Sequence, residues 1–121
     1  MCREAGIQVT AFSNLASSSY VELGMAEADE SPLQIASVCA IAAAHSKTSA
    51  QVLLRWGIQR GTQILPKSVK VERLRENMDL YDFSLTSEEM DTIASLDKKK
   101  RYNDPGVFAE GAFKTFYCIY D

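Results

Sequence analysis

Two short apolar runs, Ile7-Gln8-Val9-Thr10-Ala11-Phe12 and Gln63-Ile64-Leu65, are separated by two stretches of helical character and followed by two more. β-branched and aromatic residues mark the first run as a strand. The second is expected to be a buried strand that stops at Pro66, which has no N–H to give to a ladder. Strands joined through helices pair in parallel, so the order strand, helix, helix, strand, helix, helix predicts an α/β fold with crossover connections. Two strands alone neither close a barrel nor cover both faces of a parallel sheet. The pattern is that of a part of a larger layer.

The helices have their own signals. Ile35, Val38, Ile41 and Ala42 share one face and predict an amphipathic helix over 33–46. Cys39 is expected among the apolar residues of that helix as an inert buried thiol. Thr48-Ser49-Ala50-Gln51 has capping-box spacing and opens a helix to Arg60, which Gly61 ends. A third helix is predicted over about Val71–Leu80. Thr86 with Glu89 is a second capping box, starting a helix to about Leu96. Arg3-Glu4-Ala5-Gly6 has the form of a last helical turn with Gly6 as its left-handed stop. Ser13–Ser19 and the acidic Glu22–Pro32 are predicted loops, and Asn103-Asp104-Pro105-Gly106 signals turns.

The 121 residues suffice for one small domain, and 46% hydrophobic content is ordinary for a globular protein. A formal charge of −3 argues against nucleic-acid binding. The run Lys98-Lys99-Lys100-Arg101 is expected to be a solvated helix end. The three cysteines, Cys2, Cys39 and Cys118, have no metal-type spacing and are expected to be free thiols in a reducing compartment. No apolar run approaches membrane-spanning length and the N-terminus lacks signal-peptide character, so no membrane partner and a cytoplasmic location are expected.

Leu65-Pro66-Lys67-Ser68-Val69, followed by Arg73, Glu76 and Asn77, concentrates the chemistry. A strand end, a cation, a hydroxyl and a helix start together suit a phosphate, because the first N–H groups of a helix are unpaired and its dipole favours an anion there. Lys67 adds a point charge and Arg73 a planar fork. By residue type alone, both read first as solvated surface cations.

This stretch resembles the cofactor motif of the aldo-keto reductases, in which a Pro-Lys-Ser strand end precedes a helix bearing Arg and then Glu-Asn. The resemblance implies that Lys67 and Arg73 grip the 2′-phosphate of NADP(H), with Ser68 and Val69 beside them, while Glu76 and Asn77 approach the adenine. Gly6–Ser13 resembles the family's seventh barrel strand. On that likeness Phe12 stacks on the nicotinamide, and Ser13, Leu15 and Ser17 contact the pyrophosphate and ribose; apart from it, Phe12 could be a plain core aromatic. Arg101-Tyr102-Asn103-Asp104-Pro105 resembles the tail of the xylose-reductase-like branch, making Asn103 a candidate substrate contact. It is equally suited to a turn. In place of the family's Thr-Pro before the phosphate helix this chain has Lys70-Val71, and Asn14 and Ala16 replace a Pro and a Gly.

The resemblance implies that the chain corresponds to the C-terminal part of a (β/α)8 TIM barrel, about strands 7 and 8 with their helices. Residues 1–100 would form that portion of the barrel and 101–121 a tail over its mouth. The implied activity is NADP(H)-dependent reduction of aldehyde or ketone carbonyls, aldose-type ones above all. The family's catalytic tyrosine, lysine, aspartate and histidine belong to the first half of the barrel, so no catalytic residue is assigned. His45, the only histidine, is expected to be a surface residue at a helix end, and none of the five tyrosines has a motif partner. The competing readings are a non-catalytic binding or oligomerisation module, which folds with a partner chain or self-associates through exposed apolar surface, and a truncated relic without activity. No metal is expected.

Overall fold

In the computed structural model, residues 2–16, 20–21, 26–99, 106, 110–111 and 113–115 are described. Strand β1 (Thr10–Phe12) is followed by two 3-10 turns (Ala28–Glu30 and Pro32–Gln34), helices α1 (Ala36–Ala44) and α2 (Ser49–Gln59), strand β2 (Gln63–Leu65), and helices α3 (Val71–Met78) and α4 (Ser87–Ala94). β1 and β2 pair in parallel, with Thr10 opposite Gln63, Ala11 opposite Ile64 and Phe12 opposite Leu65. The crossover passes through α1 and α2, as the chain order requires.

β1 is shorter than the run 7–12 suggests, because a strand pairs only over its partner's length and β2 has three residues. Nor is β2 the buried strand expected from its apolar run. Gln63 is exposed and Leu65 is 60% exposed, since two strands leave the sheet faces largely open. At the N-terminus the Ile7 N–H donates to the Cys2 carbonyl (2.9 Å) and the Gly6 N–H to the Arg3 carbonyl (3.1 Å). With Gly6 at φ +69°, this is the six-to-one, five-to-two pairing of a helix C-terminus. The predicted helical stop is present.

α1 begins later than its periodicity implies. Pro32 opens a separate 3-10 turn, and Ile35 is extended (φ −66°, ψ 126°), so helical geometry starts at Ala36. Val38, Ile41 and Ala42 are buried and pack with Val52, Leu85 and Ile93. The core therefore lies among α1, α2 and α4. Cys39 is exposed, with its Sγ near the Leu33 carbonyl (3.5 Å) and Ser49 Oγ (3.6 Å). Each residue turns about 100° around a helix, so the neighbour of a buried Val38 points away from the core.

α2 leans on the sheet at Gly57, where an added Cβ would come within 3.1 Å of Ile64 Cγ2. Both predicted capping boxes are formed. Thr48 Oγ1 accepts the Gln51 N–H (3.2 Å) while Gln51 Oε1 accepts the Thr48 N–H (3.0 Å). At α4, Thr86 Oγ1 accepts the Glu89 N–H (3.2 Å) and Glu89 Oε2 accepts the Thr86 N–H (2.8 Å). Thr86→Ala is expected to cost about 1 kcal/mol in urea unfolding, the usual loss for a removed N-cap.

Glu89 also meets His45, whose Nε2 lies 2.9 and 3.0 Å from its two carboxylate oxygens. His45 is thus not a free surface residue. It ends α1, contacts the Phe83 ring (centroids 5.4 Å apart) and ties α1 to α4. Burial works to raise the Glu89 carboxyl, but the Thr86 N–H and His45 outweigh it and hold the pKa below 4.5. The Lys47 ammonium likewise holds Asp82 below 3.8. Carboxyls depressed by folding contribute stability above their ordinary range and lose it as pH falls through the lowered values. The thermal midpoint is therefore expected to decline as pH falls below about 4. A midpoint that does not fall in that acid range would contradict these pairings.

Candidate functional site

β2 ends at Leu65, Pro66 breaks the ladder, and Lys67 and Ser68 follow before α3 starts at Val71. Lys70 is the N-cap of α3 and supplies no side-chain cap, as expected where threonine is missing. Ser68 takes up part of the loss: its Oγ accepts the Lys70 N–H at 3.1 Å. On α3, Arg73, Glu76 and Asn77 follow at i, i+3 and i+4, which places them on one face.

These residues converge. A cavity of about 640 Å³ is lined by Lys67, Ser68, Arg73, Glu76 and Asn77 on one side. Leu15 and Ala16 from the loop after β1, Ala26, Glu27, Glu30 and Ser31, and Thr48, Ser49 and Ala50 at the start of α2 also line it. Lys67 and Arg73 are exposed, while Ser68, Glu76 and Asn77 are half-buried. Among the described residues, the side chains of Lys67 and Arg73 make no hydrogen bond or ion pair. Two uncommitted cations over a concave wall with hydroxyl and amide groups form a set suited to an anionic ligand bearing a polar ring. Glu27 and Glu30 also line the cavity and add negative charge.

The remaining predicted contacts are placed differently. Phe12, at the end of β1, is 63% exposed and does not line this cavity. Ser13 adopts φ +53°, and its Oγ accepts the hydroxyl of the buried Tyr20 at 2.7 Å. Val69 is 81% exposed and does not line the cavity. Asn14 carries a role that its sequence gave no hint of: its Oδ1 accepts the Leu65 N–H at 3.0 Å, joining the loop after β1 to the end of β2. Ser17 and Asn103 lie outside the described residues.

Thr48 and Ser49, at the start of α2, also line the cavity. Their one sequence signal is the capping box, which announces a helix N-terminus and with it a positive dipole end. Among the described residues no group of three His, Cys, Asp or Glu could hold a metal ion, and no helix is long and apolar enough to cross a membrane.

Residues 1–98 match the model of the Aldo/keto reductase family. A probable NAD(P)H-dependent D-xylose reductase of Aspergillus clavatus is 42% identical over 105 residues, covering 85% of this chain and 32% of that protein. The NAD(P)H-dependent D-xylose reductase of Scheffersomyces stipitis is 49% identical over 102 residues, covering 83% of this chain and 32% of its own length. Among solved structures, an aldo-keto reductase from a Medee basin deep-sea metagenome library superposes with a TM-score of 0.74 at 28% identity, over 99% of this chain and 37% of that one. An aldo/keto reductase from Brucella melitensis gives 0.65 at 32% identity, over 79% of this chain and 32% of that one. The chain spans about a third of the length of the curated relatives it matches. With the family model matched over most of its residues, the chain belongs to the aldo/keto reductase family.

Proposed function

We propose that this chain is the C-terminal portion of an NADP(H)-dependent aldo-keto reductase and carries the half-site for the cofactor's 2′-phosphate and adenine. The observation that carries the reading is the convergence of Leu15, Lys67, Ser68, Arg73, Glu76 and Asn77 on one cavity. The two uncommitted cations fit a phosphate monoester, with Arg73 offering a fork and Lys67 a point charge. Glu76 and Asn77, one turn further along the same face, suit the donors and acceptors of an adenine edge.

The NAD(P)H-dependent relatives support a nicotinamide cofactor, and the cation pair favours NADP(H). The bound cofactor would supply hydride to a carbonyl. This chain's part is to hold the nucleotide end, with 1–100 as the barrel portion and 101–121 as a tail. Xylose reductases among the relatives favour an aldose-type carbonyl for the whole protein. In this reading proton donation falls to the family's tyrosine in the first half of the barrel, and no catalytic residue is assigned to this chain.

Ile7, Phe12 and Leu65 are 59, 63 and 60% exposed, which favours a second reading as a module that associates through its open sheet. Fluorescence titration of the 121-residue chain with NADPH and NADH separates the two. The cofactor reading expects NADPH to bind at least about tenfold more tightly, one charge-assisted contact's worth. Equal or absent binding, with concentration-dependent sedimentation, would favour the association module.

A further inference from the structure

We propose that Lys47 and Gln51 are positioning residues, which clamp the C-terminal end of α3 and thereby hold Arg73, Glu76 and Asn77 against the cavity. The inference deepens the cofactor reading above and rests on it for its ligand.

α3 needs such a device. It buries no residue, and its apolar side chains Val71, Leu74 and Met78 are 54, 42 and 78% exposed. Hydrophobic docking therefore does little to fix this helix on the body of the protein. Its C-terminal end is held by the buried Leu80 that follows the cap and, on the helix itself, by polar contacts. Asp79, the C-cap, donates its N–H to the Arg75 and Glu76 carbonyls, both at 3.1 Å. Asp79 Oδ2 accepts Lys47 Nζ at 2.7 Å, and the Asp79 carbonyl accepts Gln51 Nε2 at 2.8 Å.

The clamp has a rigid base. Gln51 is the only buried polar residue among those described (4% exposed), and its Oε1 is held by the Thr48 N–H. The Lys47 side chain is 11% exposed and also reaches Asp82 Oδ2 at 2.7 Å. Charge points the same way. A carboxylate at a helix C-terminus opposes the dipole, so Asp79 is an unfavourable cap unless a cation accompanies it. Lys47 is that cation. From Asp79 the chain runs back two residues to Asn77 and three to Glu76, so a shift at the cap moves the cavity wall directly.

The test combines amide hydrogen exchange with calorimetric titration of adenosine 2′,5′-bisphosphate on the full chain, for wild type, Lys47→Ala and Lys47→Arg. In Lys47→Ala, amides 74–79 should exchange about tenfold faster while those of α2 and α4 keep their protection, as befits a local opening. The bisphosphate should bind about tenfold more weakly, the order expected when binding groups lose their alignment. Lys47→Arg, which keeps the charge and the donors, should restore most of both. If Lys47→Ala fails to fold, Asp79→Ala removes the carboxylate contacts, leaves the Gln51 bond to the carbonyl, and permits the same comparison. Unchanged protection of α3, or a loss shared evenly with α2 and α4, would overturn the proposal. A wild-type chain that ignores the bisphosphate would refute the phosphate seat instead, because the exchange comparison needs no ligand.

Discussion

The Lys67→Ala/Arg73→Ala double variant is expected to bind NADPH about a hundredfold more weakly than wild type at low salt, and no better than NADH. Each lost contact is a charge-assisted hydrogen bond to a phosphate oxygen, and NADH has no phosphate at that position. Both side chains are exposed, so screening should shrink the difference as salt is added. The fold should survive. Neither side chain makes a hydrogen bond or ion pair among the described residues, so unfolding free energy should change by no more than about 0.5 kcal/mol. Loss of NADPH selectivity with an unchanged melting curve would separate a binding role from a structural one. A drop in stability of equal weight would make both residues part of the scaffold.

The largest stability effect should come from a fully buried leucine. Leu54 in α2 and Leu80 are the largest fully buried side chains among the described residues, and Leu54→Ala is expected to cost about 3 kcal/mol through lost transfer energy and a residual cavity. Domains of this size have only about 5–15 kcal/mol of stability in total. Such a loss should lower the urea midpoint substantially with little change in the slope. Met78, in α3 and 78% exposed, is the contrasting site. Its replacement by alanine should stay within about 0.5 kcal/mol. Similar costs at the two positions would mean that the core is not where the buried residues place it.

Local signals were legible in the sequence, and long-range ones were not. The capping boxes at Thr48 and Thr86 depend on residues three apart, and both formed. Pro66 and the turn residues bounded β2 at Gln63–Leu65 as expected. The exposure of Cys39 was misjudged because α1 is rich in alanine and offers little contrast between its faces. The shortening of β1 depended on the length of a partner far away in the chain.

The cavity shows the same division. Arg73, Glu76 and Asn77 could be assigned to one wall from helical spacing. The contributions of Thr48 and Glu27 arise only when α2 and the 3-10 turn are packed in place. The contacts of Lys47 with Asp79 and Asp82, and of His45 with Glu89, span 32, 35 and 44 residues. No spacing rule reaches that far.

The central claim, that this cavity receives the 2′-phosphate and adenine of NADP(H), is tested most directly by nuclear magnetic resonance of the labelled chain, titrated with adenosine 2′-monophosphate and, separately, adenosine 5′-monophosphate. The account predicts amide shifts at residues 67–77 and at Leu15 and Ala16 for the 2′-phosphate, and much weaker ones for its isomer. Shifts of equal size for both nucleotides, or shifts confined to residues outside that cavity, would contradict it.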